Sequence, residues 1–161
     1  MVSLNLAMGC IFTAVQALQF PAYGLRIQEQ EQKKVIFDPV RKKFIPLTPE
    51  EWVRQHCIAH LFNHYQIALG IIAIEREIAA FGLRKRFDIV VFASDAKPFL
   101  LIECKAPEVE ITRNTLIQAA TYNNKLDSRY VWITNGLQHA WFEKKNGNLQ
   151  LIAPPESLVL R

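Results

Sequence analysis

The chain has 161 residues, half of them hydrophobic and 21% charged, a balance that excludes a disordered polypeptide and is enough for one buried core. A formal charge of +4 gives mild support for a polyanionic partner. Three cysteines, Cys10, Cys57 and Cys104, without Cys-x-x-Cys spacing exclude a disulfide framework and a thiolate zinc site, and suit a reducing cytoplasm.

The N-terminal stretch 4–20 is nearly free of charge. No Lys or Arg precedes it, so the basic start of a signal peptide is missing, and Asn5, Thr13, Gln16 and Gln19 interrupt it as a spanning helix. Residues 1–18 are therefore expected to be an extension, poorly ordered or a short helix, ahead of a single domain over 19–161. The expected location is the cytoplasm, with no membrane partner.

Extended pieces follow over 25–28, 34–37 and 42–47, with polar residues 29–32 and the turn Asp38-Pro39 between them. They read as a decoration on the main domain. Thr48-Pro49-Glu50-Glu51 is a helix start, with Thr48 as cap, Pro49 in the first turn and Glu51 completing a capping box. Val53, Cys57, Ile58, Leu61, Phe62 and Tyr65 give that helix one apolar stripe.

Strands are expected over 71–81 and 84–93, joined as a hairpin around Gly82, and over 98–105 after a turn at Asp95-Ala96-Lys97. The run Phe99-Leu100-Leu101-Ile102 reads as a strand buried on both faces. A second helix starts at a Thr112 cap and runs to about Leu126, with Leu116, Ile117, Ala120 and Leu126 inward. Strands over 130–134, 138–143 and 149–152 complete the chain, joined by turns at Asn135-Gly136 and Asn146-Gly147. The order implies an α/β fold, a mixed central sheet with a helix on each face.

Chemistry concentrates at Glu103 and Lys105, which leave one face of a strand while Cys104 points the other way. A bare Glu-x-Lys is ordinarily a solvated ion pair. Asp88 changes the weighing, because Arg84, Arg86 and Asp88 alternate along the preceding strand, and a hairpin centred near Gly82 sets Glu75 and Glu77 beside Asp88. Either of these two glutamates then joins Asp88 and Glu103. Such a cluster repels itself unless a cation sits in it, and oxygen ligands suit Mg²⁺ or Mn²⁺. Lys105 can then hold a phosphate or help to orient and deprotonate the attacking water.

Phe87-Asp88, fourteen residues, then Glu103-Cys104-Lys105 resembles the signature of the PD-(D/E)XK nuclease superfamily, and the element order resembles its restriction-endonuclease-like αβββαβ core. The chain is similar to the N-terminal nuclease domain of type I restriction enzyme R subunits over roughly 19–145. The likeness runs through Phe37-Asp38-Pro39, Thr48-Pro49-Glu50-Glu51-Trp52-Val53-Arg54-Gln55, Ile74-Glu75-Arg76-Glu77, Lys85-Arg86-Phe87-Asp88-Ile89-Val90, Ile102-Glu103-Cys104-Lys105-Ala106-Pro107 and Thr134-Asn135-Gly136. Phe87 stands where the superfamily name has Pro.

The resemblance implies a Mg²⁺-dependent (or Mn²⁺-dependent) DNA endonuclease, with Asp88, Glu103 and the Cys104 carbonyl on the metal and Lys105 catalytic. It implies a role for Gln118, matching a Gln-x-x-x-Tyr segment with Tyr122, favours Glu75 over Glu77, and makes Glu51 a candidate to assist the metal. Arg54, Arg84, Arg86 and Tyr122 are candidate DNA contacts, and an exposed helical face is the plain alternative for Arg54 and Gln55.

His56, His60 and His64 form a row along the first helix, read as a surface or half-buried row because no His-Glu-x-x-His motif is present. No phosphate-binding Gly-x-x-x-x-Gly-Lys loop occurs, so neither a nucleotide cofactor nor the motor of R subunits is expected. The expected partners are DNA and a homodimer mate or regulatory protein, since an unrestrained nuclease harms its cell. The alternatives are a catalytically silent DNA-binding or complex-assembly module of the same fold, and an unrelated α/β protein with coincidental charges.

Overall fold

The computed structural model describes residues 16–80 and 83–160, and side chains there except those of residues 76–80, 83–85 and 122. The turn expected at Gly82 and residues 1–15 of the N-terminal extension lie outside the described residues.

Two sheets are present among the described residues. The smaller has the order β1-β2-β3, from Ile27–Gln30, Lys33–Asp38 and Lys43–Pro46. Glu31 and Gln32 both have positive φ (48° and 61°), so the turn falls inside the polar connector expected over 29–32 and β1 takes its first half. The larger sheet has the order β4-β5-β6-β7-β8-β9, from Ile72–Ala80, Leu83–Phe92, Pro98–Cys104, Tyr130–Thr134, His139–Lys145 and Asn148–Ile152. Only β6 and β7 are parallel neighbours; the other adjacent pairs run antiparallel. The parallel pair needs a crossover, which α2 (Arg113–Leu126) supplies.

The mixed sheet carries a helix on each face. Helix α1 (Pro49–Asn63) sets Val53, Cys57, Ile58 and Leu61 against Ile89, Val91, Leu100, Ile102 and Cys104. Thr48 caps it, its hydroxyl accepting from the Glu51 amide at 3.1 Å. On the other face, Ala119 and Leu126 of α2 pack on Val90, Leu101, Val131 and Ile133. Thr112 caps α2 and Asp127 ends it in the left-handed region (φ 57°). Buried Asn123 stitches that end, accepting from the Ser128 amide at 3.1 Å and donating to its carbonyl at 3.0 Å.

Two expected core residues are at the surface. Phe62 is 50% exposed at the end of α1, and Ile117 is 53% exposed because the buried line of α2 runs through Ala119, Asn123 and Leu126. Of the histidine row, His64 is exposed and His60 half-buried as expected, while His56 is buried; the Phe20 ring lies 5.6 Å from both His56 and His60, and 5.1 Å from His139. Residues 16–18 of the expected extension pack on the domain. The Gln16 carbonyl accepts from Trp52 Nε1 at 2.9 Å, and Leu18 lies so close to Gly136 (φ +83°) that a Cβ there would meet it at 2.7 Å. Among the described residues no helix is long and apolar enough to cross a membrane.

Candidate active site

The antiparallel register Ile89↔Ile102 and Val90↔Leu101, continued by one step, puts Asp88 opposite Glu103. On the other side of β5, Ile74 pairs with Ile89 and Arg76 with Phe87, so Glu75 falls opposite Asp88 and Glu77 opposite Arg86. The choice left open between the two glutamates is thus a matter of one register position, and Glu75 is the nearer.

The sheet is irregular at this point. Glu75 has φ 49°, a left-handed conformation that a non-glycine residue adopts only when its surroundings hold it there. Phe87 and Val90, three apart, pack in the same cluster, so the alternation of faces slips at Asp88. The β5–β6 pairing stops at Ile89↔Ile102, and Asp88 Oδ2 accepts the Cys104 amide at 2.7 Å. A side chain thereby takes over one main-chain bond.

Two groups of carboxylates result. Asp38, fully buried, accepts from the Val40 and Arg41 amides at 2.8 Å each, from Arg41 Nε at 2.5 Å and from Gln55 Nε2 at 3.0 Å. Glu51 accepts from Arg41 at 3.1 Å, from Gln55 at 2.9 Å and from Arg54. Its carboxylate therefore serves this network instead of the reciprocal capping-box bond expected from sequence. Glu75 is bonded by Arg41 at 2.6 Å and Arg86 at 2.5 Å, with Arg54 at 3.7 Å. Burial alone would push its carboxyl up, yet Arg86, Arg54 and Arg41 together hold it below the usual range.

The second group is Asp88 and Glu103. Asp88 Oδ1 accepts from Arg54 Nη2 at 2.9 Å, and Glu103 Oε1 from Lys105 Nζ at 2.8 Å. Burial raises the Glu103 pKa, the charge of Asp88 raises it further, and Lys105 only partly offsets them. The two carboxylates therefore feel each other. Lys105 and Arg54 are both pushed up: burial works against their charge, but Glu103 on the first, and Asp88 and Glu51 on the second, outweigh it.

Several sequence expectations change here. Arg54 and Gln55 are 3% and 1% exposed, so neither is on an exposed helical face or free to contact DNA; the hydrogen bonds to Glu50, Glu51, Asp88 and Asp38 account for their burial. The cation expected among the carboxylates is supplied, for Glu51 and Glu75, by arginines of the chain itself. Among the described residues no three His, Cys, Asp or Glu side chains are gathered as a metal cage. Asp88, Glu103 and the Cys104 carbonyl thus stand without Glu75 or Glu51 as a free third carboxylate.

The Cys104 thiol points to the α1 side as expected, 3.9 Å from the Cys57 sulfur. Arg86 is exposed and tied to Glu75. Leu101 packs under α2, and the two-residue period sends Glu103 to that same side of β6. Gln118 is exposed on α2 and, among the described residues, makes no hydrogen bond to Asp88, Glu103 or Lys105. The side chains of Arg84, Glu77 and Tyr122 lie outside the described residues.

Asp38 and Arg41 were missed as site residues. The signal was present: Ile36 and Asp38 are two apart on a strand whose alternate positions are buried, so Asp38 had to enter the interior and find cations there.

Residues 49–153 match the family described as "Type I restriction enzyme R protein N terminus (HSDR_N)", a span of well over half the chain. The chain belongs to this family. The structure is similar to the fragment structure of a putative HsdR subunit of a type I restriction enzyme from Vibrio vulnificus YJ016, with a TM-score of 0.51 and 19% identity, covering 66% of this chain. At that identity the likeness concerns the fold, and the chain spans 23% of the length of the Vibrio protein. No curated protein matches the sequence. The matched span holds α1 to β9, while β1, β2 and β3, which deliver Asp38 and Arg41, precede it.

Proposed function

We propose that this domain is a Mg²⁺- or Mn²⁺-dependent DNA endonuclease. The observation that carries the reading is the position of Asp88 across from Glu103, one step beyond the last β5–β6 pair Ile89↔Ile102, with Lys105 on Glu103, in a chain of the restriction R-protein family.

The donor set fits a hard divalent cation. Among the described residues Asp88 has one partner on each oxygen and Glu103 one on Oε1, which leaves lone pairs on both carboxylates. Glu103 is held against the charge of Asp88 with incomplete compensation, as expected where a cation is to be added. Asp88, Glu103 and the Cys104 carbonyl would hold it, and the remaining positions suit water and phosphate oxygen. When bound, the cation supplies Lewis-acid polarisation of the phosphate and a more acidic water.

The chain's own residues do the rest. Lys105, kept protonated by Glu103, acts as a cation that steadies the charge developing on the phosphate, and not as a base. Arg86, exposed beside Glu75, meets the phosphate backbone. Gln118, exposed on the helix that covers the Glu103 side of the sheet, orients the water or the strand. A homodimer mate or a regulatory protein restrains cleavage.

The test is nicking of supercoiled plasmid in Mg²⁺ or Mn²⁺ by the wild type, Lys105→Ala and Asp88→Ala. Activity confined to the wild type is the expected result, and activity that survives both substitutions sinks the proposal. A second reading, a silent DNA-binding or assembly module, is favoured by the guanidinium of Arg54 on Asp88, where a metal ligand would otherwise be free. DNA binding without cleavage in any of the three proteins supports it.

A further inference from the structure

The small sheet lies ahead of the family match, yet its last turn enters the site. Both the amide and Nε of Arg41 are tied to the buried Asp38 carboxylate, at 2.8 and 2.5 Å, which leaves the guanidinium one orientation. Its Nη1 and Nη2 then reach Glu75 at 2.6 Å and Glu51 at 3.1 Å. Glu51 bonds Arg54, and Arg54 donates to Asp88 Oδ1 at 2.9 Å. The relay is continuous from the β2–β3 turn to the carboxylate opposite Glu103.

We infer that Arg41 is a positioning residue for the Asp88–Glu103 site: it fixes Glu51 and Glu75, these fix the buried Arg54, and Arg54 sets the Asp88 carboxylate. Three features favour orientation over simple cohesion. A planar guanidinium with five donors can bind three carboxylates in fixed directions, which an ammonium cannot. The network keeps Glu75 in a left-handed conformation inside a strand, a strained position that persists only when over-determined. Among the described residues Arg54 Nε and Gln55 Oε1 stay buried without partners, so the arrangement meets its carboxylates at the expense of other polar atoms.

The inference rests on the nuclease reading, and one set of measurements separates the two. Mn²⁺ binding is followed by calorimetry in the full chain for the wild type and Arg41→Gln, with thermal melting of each and DNA affinity in EDTA. Loss of an outer-shell partner is expected to weaken Mn²⁺ binding about tenfold in Arg41→Gln. DNA affinity in EDTA stays within twofold, and the loss of cleavage appears in kcat with KM for DNA unchanged. A merely cohesive role lowers the melting temperature and leaves the Mn²⁺ dissociation constant of the folded protein as it was, which overturns the inference alone. A wild type that binds no Mn²⁺ overturns the nuclease reading and the inference together. Should Arg41→Gln melt below the assay temperature, Arg41→Lys replaces it: it keeps the charge and loses the fork. Weaker Mn²⁺ binding is then expected, and affinity equal to wild type overturns the inference.

Discussion

Asp38, Glu51 and Glu75, from β2, α1 and β4, form one acidic group and Asp88 with Glu103, from β5 and β6, another, and their partners differ. The first group is met by Arg41, Arg54, Arg86 and Gln55, with Asp38 bonded through both oxygens. The second has one guanidinium, one ammonium and one amide, and its member Glu103 is held above the ordinary carboxylate range. A buried carboxylate with full partners has its charge cancelled and serves to hold its neighbours in place. One left short of partners keeps a field that a divalent ion can use. The same residue type therefore serves stability in one place and chemistry in the other.

The largest expected effect falls on the first group. Asp38→Ala takes from Arg41 and Gln55 the buried carboxylate they share and is expected to cost about 3 kcal/mol or more of folding stability, the usual result of removing one member of a buried pair; urea denaturation followed by circular dichroism measures it. A loss below about 1 kcal/mol would show that the network is not cohesive.

Glu103→Gln should do the reverse, with nicking down roughly a hundredfold and stability unchanged or raised. The sign follows from the raised carboxyl: the folded state holds the Glu103 proton more tightly than the unfolded chain, so ionising it weakens folding as pH rises through the raised value. A glutamine removes that penalty. If the variant melts markedly below the wild type, Glu103 belongs to the cohesive group and the comparison fails.

The histidine cluster gives a pH test away from the carboxylates. Burial first, then the neighbouring His64 and His139, lower the His60 pKa from 6.5 to about 4. The unfolded chain takes up the proton first, so this contribution to stability is complete above pH 6.5 and is lost as pH falls towards 4. Urea midpoints should decline over that window, and His60→Gln should flatten the decline. The smallest effect belongs to the cap of α1. Thr48→Ala removes the bond to the Glu51 amide and is expected to lower stability by about 1 kcal/mol, read as a shift in urea midpoint at constant slope.

Local signals carried far along this chain. Thr48 and Thr112 cap the two helices, and Asn135-Gly136 and Asn146-Gly147 make the turns, because caps and positive-φ turns depend on the residues that form them. Phe62 and Ile117 were misplaced because periodicity marks an apolar stripe without saying how far the packed face extends. Glu51 was legible as a cap-box residue, but Arg41 from the β2–β3 turn and Arg54 one turn further along α1 outcompeted that local bond. The choice between Glu75 and Glu77 needed the hairpin register, which one position decides.

By itself the sequence determined the elements, the mixed sheet with a helix on each face, and the placing of Asp88 within a strand and of Glu103 and Lys105 at the end of the next. Those features follow from periods of two and 3.6 residues and from short-range chemistry. Only the tertiary structure decided which carboxylates meet arginines and which do not. Arg41 and Glu75 are thirty-four positions apart and Arg54 and Asp88 equally so, and the partner of a buried charge is whatever the packing of distant elements brings within bonding distance.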